Sequence, residues 1–129
     1  MDKGDTFLMG VLKGRKKHLW VVISDPKKHN GIRLIVDLST DPDRTGKECP
    51  ILYGEHPWLT EPVSWLCYAD AAPIPDNRWH LILAGIPSQF VIPERPMPTI
   101  TLGKIIAGAK ISASKTNGAF RKDYLPYLD

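Results

Sequence analysis

Prolines and glycines limit every element this chain can build. There are 12 prolines and 10 glycines in 129 residues, scattered along the whole length. Proline removes a backbone donor, and glycine weakens the interior of a helix or strand. Long regular elements are therefore excluded over most of the chain, and turns are frequent. The pieces between the turns are apolar enough to pack, since hydrophobic residues make up 43%. That share argues for a folded core rather than disorder. The expected organisation is one domain, 1–129, around one core. No apolar stretch reaches the roughly 18 residues that a membrane span needs. The start, Met1-Asp2-Lys3-Gly4-Asp5, does not read as a signal peptide. The expected location is the cytoplasm.

Five segments read as short strands: Phe7 to Leu12, Leu19 to Ser24, Ile32 to Leu38, Pro50 to Tyr53 and Ser64 to Ala69. Proline places the fourth at a sheet edge. Asn30-Gly31 supplies the positive φ values of a tight turn. Ala71 to Asn77 reads as a loop, and Trp79 to Ala84 as a strand or a short helix. Residues 86–100 read as a Pro-rich connection through Pro87, Pro93, Pro96 and Pro98. Thr101 can cap a helix over 101–114, where Leu102, Ile105, Ile106 and Ala109 form one stripe. The expected fold is mainly β, a small, partly closed barrel of five to six strands with a C-terminal helix. Closure would remove the edges that short strands leave open.

Several chemistries have no motif here. There is no Gly-rich phosphate loop, no HExxH and no GxSxG elbow. His18, His29, His56 and His80 lack metal-ligand spacing, so no metal and no cofactor is expected. Cys49 and Cys67 are expected to be free thiols. The net charge of +3 conceals a pattern. Residues 1–47 are basic, 48–100 acidic and 101–129 basic again. A basic face can gather phosphates.

His18 follows the run Arg15-Lys16-Lys17 and precedes the best strand. An imidazole there can pass protons near neutral pH, with cations beside it to hold a phosphate. Ser39 and Thr40 close the strand Ile32 to Leu38. Their hydroxyls can contact a phosphate or cap the turn at Asp41. Arg15, Lys16, Lys27, Lys28 and Arg33 are candidate phosphate contacts, and Arg33 could instead pair with Asp37. Trp65, with Trp20, Trp58 and Tyr68, is a candidate platform for stacking bases. Glu55, His56 and Glu61 could form a second acid/base group. Cleavage of RNA by its own 2′-hydroxyl needs a base, an acid and a cation, and these residue types suffice.

Several of these segments also carry a resemblance. Gly4-Asp5, Lys17-His18-Leu19-Trp20-Val21-Val22-Ile23-Ser24, Asn30-Gly31, Val36-Asp37-Leu38-Ser39-Thr40 and Val63 to Asp70 are together similar to the MazF/PemK-like toxins. That group shares its fold with the CcdB-type plasmid-maintenance proteins. The resemblance implies an SH3-like barrel and a homodimer. It also implies metal-independent cleavage of single-stranded RNA and a protein antitoxin. His18 stands where the family has its catalytic arginine, Leu19 replaces the following proline, and Ser39 matches the second catalytic position. The guanidinium clamp is thus lost. His18 as acid/base, Lys17 as cation and Ser39 at the phosphate form the implied catalytic set. Two alternatives remain: a non-catalytic SH3-like module that binds a protein or nucleic acid, and a topoisomerase poison that acts by protein binding.

Overall fold

The computed structural model describes residues 1–11, 17–41, 47–84 and 89–129. The chain is mainly β. Its strands are β1 (Thr6–Val11), β2 (His18–Val22), β3 (Arg33–Ser39), β4 (Pro50–Leu52), β5 (Val63–Ile74) and β6 (Gln89–Glu94). Helix α1 (Asp76–Leu83) lies between β5 and β6, and α2 (Thr99–Ser114) follows β6. Short 3-10 turns cover Pro26–Lys28 and Lys122–Leu128. The strands form one antiparallel sheet in the order β4-β5-β3-β2-β1-β6. No helix among the described residues is long and apolar enough to cross a membrane.

Alternation along the strands sorts the core to two faces. Leu19 and Val21 of β2 share one buried cluster with Leu34, Val36 and Leu38 of β3. Helix α2 covers that face with Ile105, Ala109 and Ala113, joined by Phe120 and Leu128 from the C-terminal segment. Phe7, Val22 and Ile35 point the other way and meet Trp79 and Ile82 of α1. The Phe7 and Trp79 rings meet edge to face at 5.3 Å. Each fully buried Ile or Leu contributes about 1.5–3 kcal/mol, so both faces are needed to hold so short a sheet.

The mainly β class, the strand count and the C-terminal helix follow the sequence reading. Barrel closure does not. Among the described residues, β4 pairs only with β5 and β6 only with β1, so the sheet is open. Its edges are blunted instead. Pro50 has no donor to offer. Tyr53 turns its N–H inward to Pro62 O at 3.0 Å, so alternation turns the Leu52 N–H outward. There the Glu55 carboxylate accepts it at 2.6 Å. Pro93 removes a donor from β6, which an edge strand tolerates.

Three element boundaries differ from the sequence reading. Residues 86–100 are not all connection, because β6 runs through them and pairs with β1 from Gln89 to Glu94. The stretch 71–77 is not a loop. β5 continues to Ile74 past an irregularity at which Ile35 faces Ala72 but Asp37 faces Cys67, and α1 starts at Asp76. Helix α2 starts at Thr99, two residues before the expected cap. Thr101 is buried and donates its hydroxyl to Glu55 rather than capping the helix. Asn30 and Gly31 do take positive φ, 55° and 77°, although the β2–β3 connection also holds the 3-10 turn. Neither Cys49 nor Cys67 is in a disulfide.

Tyr68 and Gly108 set how closely α2 lies on the sheet. The buried Tyr68 hydroxyl donates to Ile105 O at 2.6 Å, and burial pushes its pKa far up. A Cβ at Gly108 would sit 2.3 Å from that hydroxyl oxygen. Gly108→Ala should therefore destabilise the fold by about 1–3 kcal/mol, read as a lower denaturant midpoint. Tyr68→Phe in the same chain should recover part of the loss.

Glu55 ties β4 to α2 through Thr101 at 3.1 Å and Lys104 at 3.3 Å. Burial alone would raise its pKa. The Leu52 N–H, Lys104 and Thr101 outweigh burial and hold the carboxyl below its ordinary value. A depressed folded pKa adds stability above the unfolded value, which is lost as pH falls through the folded one. Glu55→Gln should thus be less stable at neutral pH, by up to about 1 kcal/mol. The difference should close in acid, which pH-dependent urea unfolding of both forms would check.

Candidate functional site

Three antiparallel strands line up the polar end of the sheet. Trp20 pairs with Asp37 and Asp37 with Cys67, forming one cross-strand row. Continuing the β2–β3 register by two residues sets His18 beside Ser39, and Ser39 in turn pairs with Trp65. Alternation puts both rows on the same face. His18 and Ser39, 21 residues apart in sequence, become neighbours because His18 opens β2 and Ser39 closes the antiparallel β3.

A groove of about 620 Å³ opens at this end. Lys17, His18, Ser39, Thr40 and Asp41 form one wall of it, and Pro57 to Glu61 form the other. His18 is part-buried, with its side chain 28% exposed. Its Nδ1 lies 3.4 Å from Leu38 O and 3.8 Å from Asp37 Oδ2. Both oxygens are acceptors, so Nδ1 carries the proton in the neutral ring. Nε2 is then the nitrogen that can take one up. Asp37 is fully buried and lies behind the imidazole at ion-pair distance, beyond hydrogen-bond reach. Ser39 Oγ accepts the Asp41 N–H at 3.1 Å. A lone pair thus fixes the turn, while the hydroxyl hydrogen remains a donor.

Asp37 has further acidic company. Cys67 is its cross-strand partner, Asp70 lies in the irregular stretch of β5 that follows, and the three ligand atoms lie within 4.8 Å of one another. Among the described residues this is the one grouping whose donor atoms lie close enough to hold a metal ion. No sequence spacing signals it, because a bulge re-aims side chains that regular alternation would separate.

The opposite wall is pinned by His56, which is 1% exposed. Its Nδ1 accepts the Trp58 N–H at 3.1 Å. Its Nε2 must therefore carry the hydrogen, which it donates to Arg95 O at 2.7 Å. Thr6 Oγ1 lies 3.1 Å from the same nitrogen and donates to Arg95 O at 2.6 Å. All the ring's polar capacity is spent on structure, so His56 is not part of a second acid/base group with Glu55 and Glu61. Glu55 faces α2, and only Glu61 of the three lines the groove.

Four of the ten expected site residues therefore meet: His18, Ser39, Lys17 and Thr40. Arg15 and Lys16 lie outside the described residues. Trp65 is half-buried beside Ser39 but does not line the groove. Arg33, Lys27 and Lys28 belong elsewhere. Arg33 starts β3 and Ser39 ends it, a span of roughly 20 Å at strand rise. Arg33 Nε donates to Met1 O at 2.7 Å, and its guanidinium pairs with Asp76 rather than Asp37. It also lies over the Trp79 ring at 5.7 Å. Arg33 thereby binds the N-terminus and α1 to the sheet. Lys27 and Lys28 are exposed on the 3-10 turn at that same far end. Tyr68 is buried and cannot stack on a base. Asp37 and Trp58 are the site residues that sequence reasoning undervalued. The signal for Asp37 was an acid interrupting an apolar strand.

Comparison with protein-family models, curated proteins and solved structures finds no match. The two histidines should separate cleanly in a stability assay. His56→Ala removes a buried hub and should cost about 2–4 kcal/mol. His18→Ala, at the groove surface, should cost less than about 1 kcal/mol. Equal losses in thermal or urea unfolding would contradict these assignments.

Proposed function

We propose that the chain is a toxin-like, metal-independent endoribonuclease that cuts single-stranded RNA in this groove. The observation that carries the reading is the convergence of His18, Ser39, Thr40 and Lys17 on one groove, with Asp37 behind the imidazole. A proton-transfer group, hydroxyl donors and a cation are what phosphodiester cleavage by the neighbouring 2′-hydroxyl requires. His18 Nε2 accepts the 2′-hydroxyl proton as O2′ bonds to phosphorus. The P–O5′ bond breaks, and the departing oxygen takes the proton back from His18. The products are a 2′,3′-cyclic phosphate and a 5′-hydroxyl. Lys17 and the Ser39 and Thr40 hydroxyls offset charge that grows on the phosphoryl oxygens. Asp37 holds the ring orientation and favours the imidazolium that forms.

The reading also includes the finer expectations from the MazF/PemK resemblance: an SH3-like origin for the sheet, a homodimer, a cytoplasmic location and an antitoxin that blocks the groove. The imidazole replaces the family's arginine as the proton carrier, and Lys17 takes over its charge.

The test is incubation of purified protein in EDTA with mixed-sequence single-stranded RNA. Cleavage leaving 2′,3′-cyclic ends is expected. His18→Ala should lower the rate at least 100-fold, and Ser39→Ala and Asp37→Asn about 10–100-fold, with folding confirmed by circular dichroism. A folded wild-type protein that cuts no RNA across varied sequences would sink the reading and favour a binding module. Cleavage only with added divalent metal would shift the chemistry to the Asp37–Cys67–Asp70 grouping.

A further inference from the structure

The two walls of the groove differ in chemistry. The β2–β3 wall carries Lys17, His18, two hydroxyls and the Asp41 carboxylate. Among the described residues, the facing wall carries Trp58, Thr60 and Glu61 and no basic side chain. An exposed carboxylate on the wall of a groove for a polyanion repels its ligand. It gains affinity only where the ligand presents N–H or O–H donors to it. In a nucleotide, the base edge is the part that offers donors and lies away from the phosphate.

Resting on the ribonuclease reading, we propose that Glu61 and Trp58 form a guanine-reading subsite beside the phosphate wall. Guanine is the base that suits a carboxylate best. Its N1–H and N2–H₂ donors lie side by side and match the two carboxylate oxygens. Adenine and cytosine present one exocyclic amine beside an acceptor nitrogen, which faces the second oxygen unfavourably. Uracil presents one imide N–H between two carbonyls. Trp58 supplies an aromatic surface at the same wall, and stacking on such a surface is tolerant of sequence. Selection thus falls to the carboxylate.

The wall is rigid enough to read a base. The Trp58 N–H is held by His56 Nδ1, and the Leu59 N–H by His56 O at 3.1 Å. Leu59 is itself buried in the core and β5 begins at Val63, so the three residues between them, Glu61 included, are anchored at both ends. Among the groove's described residues Asp41 is the other carboxylate, and it lies next to Ser39, which leaves Glu61 as the acceptor on the facing wall. At about 620 Å³ the groove is within the size range of small-molecule sites.

The test is calorimetric titration of the EDTA-treated protein with 3′-GMP, 3′-IMP, 3′-AMP, 3′-CMP and 3′-UMP, alongside Glu61→Gln and His18→Ala forms. The expected result is 3′-GMP bound at least tenfold more tightly than the adenine, cytosine and uracil nucleotides. 3′-IMP, which lacks the N2 amine, should lose most of that advantage. Glu61→Gln should bring all five to within about threefold while keeping phosphate-dependent binding. Comparable binding of all five by the wild type, still weakened by His18→Ala, would overturn the guanine subsite and leave the ribonuclease reading standing. A preference for guanine that survives Glu61→Gln would remove Glu61 from it. No nucleotide binding together with no RNA cleavage would overturn both.

Discussion

The pairing of β2 with β3 is the constraint on which the rest of the site depends. Trp20 opposite Asp37 and Val21 opposite Val36 fix which residues of the two strands are buried. They also fix which meet at the polar end. A slip of one residue would exchange the faces, sending Leu19, Val21, Leu34 and Val36 away from α2. The apolar cost of that exchange is large, because each of these side chains is fully buried. The core thus enforces a register, and the register places His18 beside Ser39 and Asp37 behind the ring. A functional geometry that no single strong interaction holds is stabilised by apolar burial elsewhere in the same strands.

Elements backed by apolar periodicity were readable from the residues. The Leu-Trp-Val-Val-Ile run and the Ile32–Leu38 strand bury side chains at the alternate positions that face α2, and of the stripe Leu102, Ile105, Ile106 and Ala109 the second and fourth are buried and the other two pack half-buried on the core. Proline misled the reading elsewhere. Residues 86–100 and 71–77 look like connections, yet β6 tolerates Pro93 at an edge. β5 tolerates Pro73 because β4 pairs only with its first residues. Whether a proline ends a strand depends on which side of it has a neighbour, and sequence does not carry that information.

The site was legible to the same extent and for the same reason. His18 and Ser39 are strand-end residues, so finding the strands found them. Asp37 needed the depth of the sheet to be known. At the surface it would be an ordinary polar residue, whereas here it is a fully buried carboxylate 3.8 Å from the His18 ring. Arg33, Lys27 and Lys28 were grouped with the site by charge alone. Position along β3 separates them, since one strand length exceeds the reach of any side chain. His56 is readable as a histidine near acids, but its buried position, two contacts to backbone and a third to the Thr6 hydroxyl make it a structural hub.

The charge pattern of the chain fits this geometry. The basic first third supplies Lys17 and His18, and the acidic middle supplies the wall with Glu61. In a linear reading an acidic segment sits awkwardly beside a groove for RNA. Once folded, the two segments line one groove, where on the proposed reading they would meet different parts of a nucleotide. Lys17 would draw the phosphate and Glu61 would repel it, which would orient the ligand before any base contact forms. Placing the cation and Glu61 on different walls would thus set polarity as well as affinity. A groove of uniformly positive charge would bind more tightly and discriminate less.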